Sequence, residues 1–157
     1  MASWKTIEDL APEFAAKVRA RFEAGTNKTL ASLRADGSPR ISATECKFDA
    51  GELRLGMMGG SRKLADVRRD PRVAIHSPTL EPPAEPSTEW PGEAKVAGSL
   101  VEIPTPDDWV EHDVDGAGFF RLDITEAALT YLGGDPPDHL VIESWDDQHG
   151  YRRRTRK

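Results

Sequence analysis

A small antiparallel β-barrel, closed or split, with two or three short helices is the fold this sequence predicts. Three observations predict it. From Thr29 onward, apolar and polar residues alternate over short runs, the two-residue period of half-buried strands. The first runs are joined by tight turn signals, Asp36-Gly37 and Asp49-Ala50-Gly51, which leave no room for a crossover helix. Consecutive strands joined that way form an antiparallel meander, not a parallel Rossmann-type sheet. Helical period, finally, is confined to two places, residues 6–25 and 61–69.

Taken in order, Phe14, Val18 and Phe22 recur every fourth residue, with Ala11 and Ala15 on the same face and Gly25 where a C-terminal cap belongs. Pro12 cannot lie inside that helix, so it opens the main segment at the first position after a turn over Ile7 to Leu10. Thr29 to Leu33 is the first strand, and Arg40 to Phe48 pairs back on it. Leu53, Leu55 and Met57 alternate through a third. A helix from Ser61 to about Arg69 ends at Asp70-Pro71, and Val73 to His76 is a short strand. Five prolines between residues 78 and 93 predict a long exposed loop. Ala94 to Ile103 resumes as strand, and Pro104 to Trp109 reads as a brief helix. Phe120 to Ile124 alternates, with Ala127 to Leu132 continuing it after a bend. His139 to Trp145 is the last strand, giving six or seven in all. Residues 146–157 read as a basic, solvated, partly disordered tail on a single domain spanning 1–157, with residues 1–25 as its N-terminal helical segment.

At 157 residues and 38% hydrophobic, the chain is long enough for one domain with a real core. A formal charge of −6 argues against a general nucleic-acid binder. The exception is the run Tyr151-Arg152-Arg153-Arg154-Thr155-Arg156-Lys157. The single cysteine, Cys46, excludes an intramolecular disulfide and fits a reducing compartment. No segment has the length of a signal peptide's apolar run or of a membrane span, so a soluble cytoplasmic protein is expected. His76, His112, His139 and His149 share no metal-ligand spacing with one another or with Cys46. Asp113-Val114-Asp115-Gly116 is a fragment of a calcium loop without its terminal Glu. Trp4, Trp90, Trp109 and Trp145 read as core or interface anchors. Trp90 and Trp145 are the two placed to flank a bound ring.

The chemistry-bearing stretch is Gly59-Gly60-Ser61-Arg62-Lys63. Ser61 is a good N-cap, the residues after it expose unpaired N–H groups, and the glycines permit close approach of a ligand. Arg62 and Lys63 put two cations at the electropositive end of a helix, which suits a bound dianion such as a phosphate. The alternative is a capped surface helix with two solvated basic residues. Arg40, Ser42 and Thr44 share one face of their strand, either lining a groove for the polar edge of a heterocycle or facing solvent.

These residues carry a resemblance. Thr29 to Leu33, Asp36-Gly37-Ser38-Pro39-Arg40, Gly60-Ser61-Arg62-Lys63 and Asp70-Pro71-Arg72-Val73 stand in the order and spacing of the flavin-binding split β-barrel family of pyridoxamine 5′-phosphate oxidase and related flavin and deazaflavin oxidoreductases. The match covers roughly residues 12–77, and more loosely the strand from Ala94. The resemblance implies an antiparallel split barrel of the FMN-binding type. Ser61, Arg62 and Lys63 would hold the flavin 5′-phosphate, with Arg40 near the phosphate or ribityl chain. Ile41, Ser42, Gly56 and Met57 would lie along the isoalloxazine ring. It also implies a homodimer with cofactors in interface clefts, and hydride transfer to or from a small organic substrate, for which no catalytic side chain is named. Two positions depart from the pattern. Glu93 stands where the oxidase has glutamine, and residues 145–151 do not match its C-terminal substrate segment, which argues against pyridoxamine-phosphate oxidation itself. The alternatives are the deazaflavin coenzyme on the same fold, whose phosphate and oligoglutamate tail would suit the basic C-terminus; a non-catalytic flavin or haem-type binding module; and a barrel that has lost cofactor binding.

Overall fold

A computed structural model describes residues 1–112 and 115–157, the side chains of residues 110–112 apart. Asp113 and Val114 of the calcium-loop fragment lie outside the described residues. The elements run α1 (Trp4–Leu10), α2 (Pro12–Glu23), β1 (Lys28–Leu33), β2 (Pro39–Thr44), β3 (Cys46–Asp49), β4 (Glu52–Met57), α3 (Arg62–Arg69), β5 (Arg72–His76) and β6 (Glu93–Ile103). A 3-10 turn (Asp107–His112), β7 (Gly118–Gly134), β8 (Pro137–Asp146) and β9 (Gly150–Arg156) complete the chain. Residues 77–92 hold neither helix nor strand, as their prolines predict.

Every named strand pairing is antiparallel, in the order β2-β1-β5-β6-β7-β4-β3, with β8 between β7 and β9. The 17-residue β7 organises the split. One of its edges follows β6 along nearly its whole length, while the other pairs β4 at Gly118–Arg121 and then β8 from Glu126. Between those partners Ile124 exchanges backbone hydrogen bonds with Ala2, at 2.9 and 2.8 Å. The β6–β7 register shifts at Ala97/Gly98. A Cβ on Gly98 would come within 2.0 Å of the Asp123 carbonyl oxygen, so only glycine lets the two backbones close here.

The core is built from one face of each element. Trp4, Ile7, Phe14, Val18 and Phe22 cover the barrel end, against Phe48, Leu53, Leu55, Ile124 and Leu129 among others. The Trp4 and Phe48 rings lie 4.5 Å apart, and Phe22 meets Phe48 edge-on at 5.9 Å. Pro12 opens α2 at its start, as expected. Gly25 is not its cap: Ala24 is, in right-handed conformation, and Gly25 lies one residue beyond against Pro78.

Two expectations are corrected. The single strand Arg40 to Phe48 is two, β2 pairing β1 and β3 pairing β4, because the chain crosses between the halves of the sheet at Glu45. The basic tail is strand β9, paired with β8 from Leu140↔Arg156 to Asp146↔Gly150. Its strand character is hidden because most of its side chains are arginines. Two of its residues fasten it: Tyr151, whose ring lies 5.6 Å from that of Phe14 and whose hydroxyl donates to Glu143 at 3.1 Å, and Arg152, which pairs with Asp146.

Candidate functional site

Helix α3 begins as its sequence predicts. Ser61 accepts from the Leu64 amide at 3.3 Å, and the first turn has no acidic residue. The amides of Arg62 and Lys63 have no acceptor among the described residues. Arg62 is exposed and forms no ion pair among them. The Lys63 Nζ donates to the Ala43 carbonyl at 2.8 Å, bringing the helix start to β2. Burial pushes the Lys63 ammonium below the usual lysine range, with Glu45 opposing. The two glycines before the cap differ. Gly60 is open, with φ of +71°. The space over Gly59 is filled by backbone of residues 115–116, since a Cβ there would stand 2.4 Å from the Asp115 oxygen.

Arg40 also reaches α3, but its guanidinium is occupied. Its Nε donates to buried Asp66 at 2.5 Å, and Asp66 accepts from Arg69 at 2.9 Å. Arg40 and then Arg69 hold the Asp66 carboxyl below the usual range. The polar row on β2 points inward: Arg40 and Ser42 are half-buried and Thr44 is buried, while Ile41 faces out, 74% exposed.

A cavity of about 670 Å³ opens between the end of β2, the end of β4 and the start of α3. Its wall includes Gly56, Met57, Met58, Lys63, Trp109 and Phe119. Trp109 and Phe119 meet edge-on at 5.8 Å. A Cβ on Gly56 would come within 3.3 Å of the Trp109 ring, so this glycine keeps the floor flat beneath the aromatic pair. Lys47 lies over the Trp109 ring and pairs with Asp108. The structure thus brings Gly56, Met57 and Lys63 to one cavity beside Ser61 and Arg62. Ile41 instead lines a second groove of about 620 Å³ on the outer face of the sheet, with Ala31, Ala74 and Ala97. Ser42 lines neither.

Sequence reasoning missed the aromatic wall. Trp109 adjoins the cavity of Gly56; Trp145 is buried against the outer groove, and Trp90 donates to the Leu80 carbonyl within the proline-rich loop. The available signal was Gly56, a glycine inside a strand. Glu93 stands away from the α3 start, paired with His76 at 3.2 Å and Lys95 at 3.1 Å. Among the described residues no group of three or more His, Cys, Asp or Glu could hold a metal ion.

Two free amides, an exposed arginine and a lysine without an ion pair among the described residues, beside a cavity with an aromatic wall, fit a planar ligand carrying a phosphate. The architecture agrees with solved proteins. A pyridoxamine 5′-phosphate oxidase-related, FMN-binding protein from Nostoc punctiforme superposes at TM-score 0.61 over 100% of this chain and 98% of its own, at 14% identity. PhzG from Burkholderia lata, solved with tetrahydrophenazine-1-carboxylic acid, superposes at 0.66 over 97% and 92%, at 10% identity. The fold is the pyridoxamine 5′-phosphate oxidase-like split barrel. An F420 reductase shares this split barrel at TM-score 0.51 over 69% of this chain and 94% of its own, at 18% identity. No protein-family model and no curated protein matches the chain. In this split barrel, α3 and the end of β4 frame the candidate site, and among the described residues no helix is long and apolar enough to cross a membrane.

Proposed function

We propose that the chain is a flavin-dependent oxidoreductase that binds FMN by its phosphate at the start of α3 and transfers hydride to or from a small organic substrate. The observation that carries this reading is the pair of free amides at Arg62 and Lys63, whose side chains form no ion pair among the described residues, set beside the cavity of Gly56, Met57, Trp109 and Phe119. A flavin bound there would supply the hydride chemistry itself. The protein's part is to bind and orient. The Arg62 and Lys63 amides and side chains would hold the phosphate. Gly56 would let a ring lie close to β4, while Trp109, Phe119 and Met57 would exclude water from it. Arg40 acts one step back, tying β2 to α3 through Asp66.

We infer a homodimer as the working form. Small side chains, Ala31, Ala74 and Ala97, floor the outer groove beside exposed Ile41, a surface suited to a second copy. A deazaflavin coenzyme on the same site is the second reading. It is favoured by the cations Arg153, Arg154 and Arg156 on β9, which have no ion-pair partner among the described residues.

The absorption spectrum of the purified protein tests the cofactor. FMN gives a band at roughly 450 nm and the deazaflavin one at shorter wavelength. Paired Arg62→Glu and Lys63→Glu should abolish retention of either while leaving α3 folded. Retention equal to the wild type would overturn the phosphate site.

A further inference from the structure

Lys28 is a buried cation that the cofactor reading leaves without a task. It begins β1, is only 7% exposed, and points inward with Leu30 and Ser32. Its Nζ donates to the carbonyl oxygens of Gly25 at 2.8 Å and Thr26 at 3.0 Å, just past the end of α2. Among the described residues no carboxylate lies within ion-pair distance. Those carbonyls satisfy two of the three N–H groups of the ammonium but bring no formal charge. The electronegative end of α2 offsets part of the cost and accounts for the lysine being tolerated. It does not account for the lysine lining a cavity, where an unbranched apolar side chain would fill the same space without burying a charge.

The cavity is the one that holds Gly56 and Trp109. Cys46, also on its wall, feels the ammonium: burial pushes that thiol up to about 11, and Lys28 draws it back. Lys63 opens into the same space with no ion pair among the described residues, although Glu45 acts on it from a distance. Facing these cations are the apolar surfaces of Met57, Met58, Trp109 and Phe119, and the same wall carries exposed Glu45 and the Lys47–Asp108 ion pair. The lining therefore sets a buried ammonium that has no ion pair among the described residues beside an aromatic and thioether wall, its two carboxylates being exposed Glu45 and the Asp108 already paired with Lys47.

From this we infer that the cavity takes a small organic acid, its carboxylate held by Lys28 and its apolar body laid against Trp109, Phe119 and Met58. This rests on the cavity being the flavin groove and names the class of substrate used there. The carboxylate supplies the counter-charge that Lys28 lacks and accepts its third N–H. A neutral analogue of the same shape leaves the ammonium as it was, so charge, not size, decides recognition.

Calorimetric titration of the purified protein, as isolated, with sodium benzoate and with benzyl alcohol tests this. Benzoate should bind at least tenfold more tightly. Lys28→Met should bring benzoate down to the level of the alcohol while flavin content and near-UV circular dichroism stay unchanged. Inorganic phosphate, standing for the anionic end of the cofactor, should not compete with benzoate. Equal affinity for acid and alcohol in the wild type would overturn the inference without any variant. Undiminished benzoate binding by Lys28→Met would overturn it too, as would competition by phosphate or loss of flavin from that variant. Lys28-dependent benzoate binding by a protein that takes up no FMN would instead remove the flavin reading and leave the acid site standing.

Discussion

Asp66 shows how much of the site depends on one residue that no motif marks. It is the sole acid of α3 and lies on the helix's buried face with Leu64 and Val67, where a carboxylate is costly unless paired. Arg40 and Arg69 pair it, and their hydrogen bonds hold its carboxyl below the usual carboxylate range. A carboxyl whose folded pKa is depressed stabilises the protein above its unfolded pKa. That stability is lost as pH falls through the lower folded value. Asp66→Asn should therefore melt at a lower temperature than wild type near pH 7, with the gap closing as pH falls below about 4. Melting curves across that range check it, and a gap independent of pH would mean the pair contributes nothing. The motif Ser61-Arg62-Lys63 was legible because capping and helix polarity are local. Asp66 was not, because its partner is 26 residues away on β2.

At the level of elements, a buried carboxylate adds to the β8 pairing that holds β9. Glu143 on β8 is 2% exposed and accepts from Tyr131 of β7 at 2.5 Å, Lys17 of α2 at 2.9 Å and Tyr151 of β9 at 3.1 Å. Burial works against its charged form, yet the hydrogen bonds of Tyr131 and Lys17 keep the carboxyl below its usual range. One acid thus joins three strands and a helix. Tyr131→Phe should cost about 1.5–3 kcal/mol in urea unfolding, the range for a hydrogen bond to a charged group. Tyr151→Phe should cost less, since Tyr151 is 44% exposed and water can replace it. A reversed order would show that β9, not β7, bears on the carboxylate. The arginines of β9 suggested a disordered tail because charge suggests solvation. On an edge strand the same charge discourages pairing with another chain, and the arginine stems still lie on the sheet.

Across the whole molecule, the long β7 sets the geometry by changing partner from β4 to β8, which leaves a cavity on the β4 side and a broad small-residue face on the other. If that face joins two copies, a bulky charge at its centre should separate them. Ala74→Arg is expected to shift the protein from dimer to monomer in light scattering, with the melting curve of the monomer otherwise cooperative. A wild type that is monomeric at micromolar concentration would remove the proposed interface.

Strand alternation, the turns at Gly37 and Gly51, Pro12 at a helix start and the Ser61 cap are properties of a few neighbouring residues. From them the sequence by itself determined an antiparallel barrel with short helices and a cationic helix start. Which side chains meet there was decided only by tertiary structure. Trp109 and Gly56 are 53 residues apart, and they come together because the 3-10 turn folds back over β4. Ile41 and Lys63, grouped by motif, are sent to opposite faces because successive strand residues point opposite ways and only one face of β2 turns toward α3. Local rules fix the period and the caps; the pairing of β7 with three strands fixes what those elements enclose.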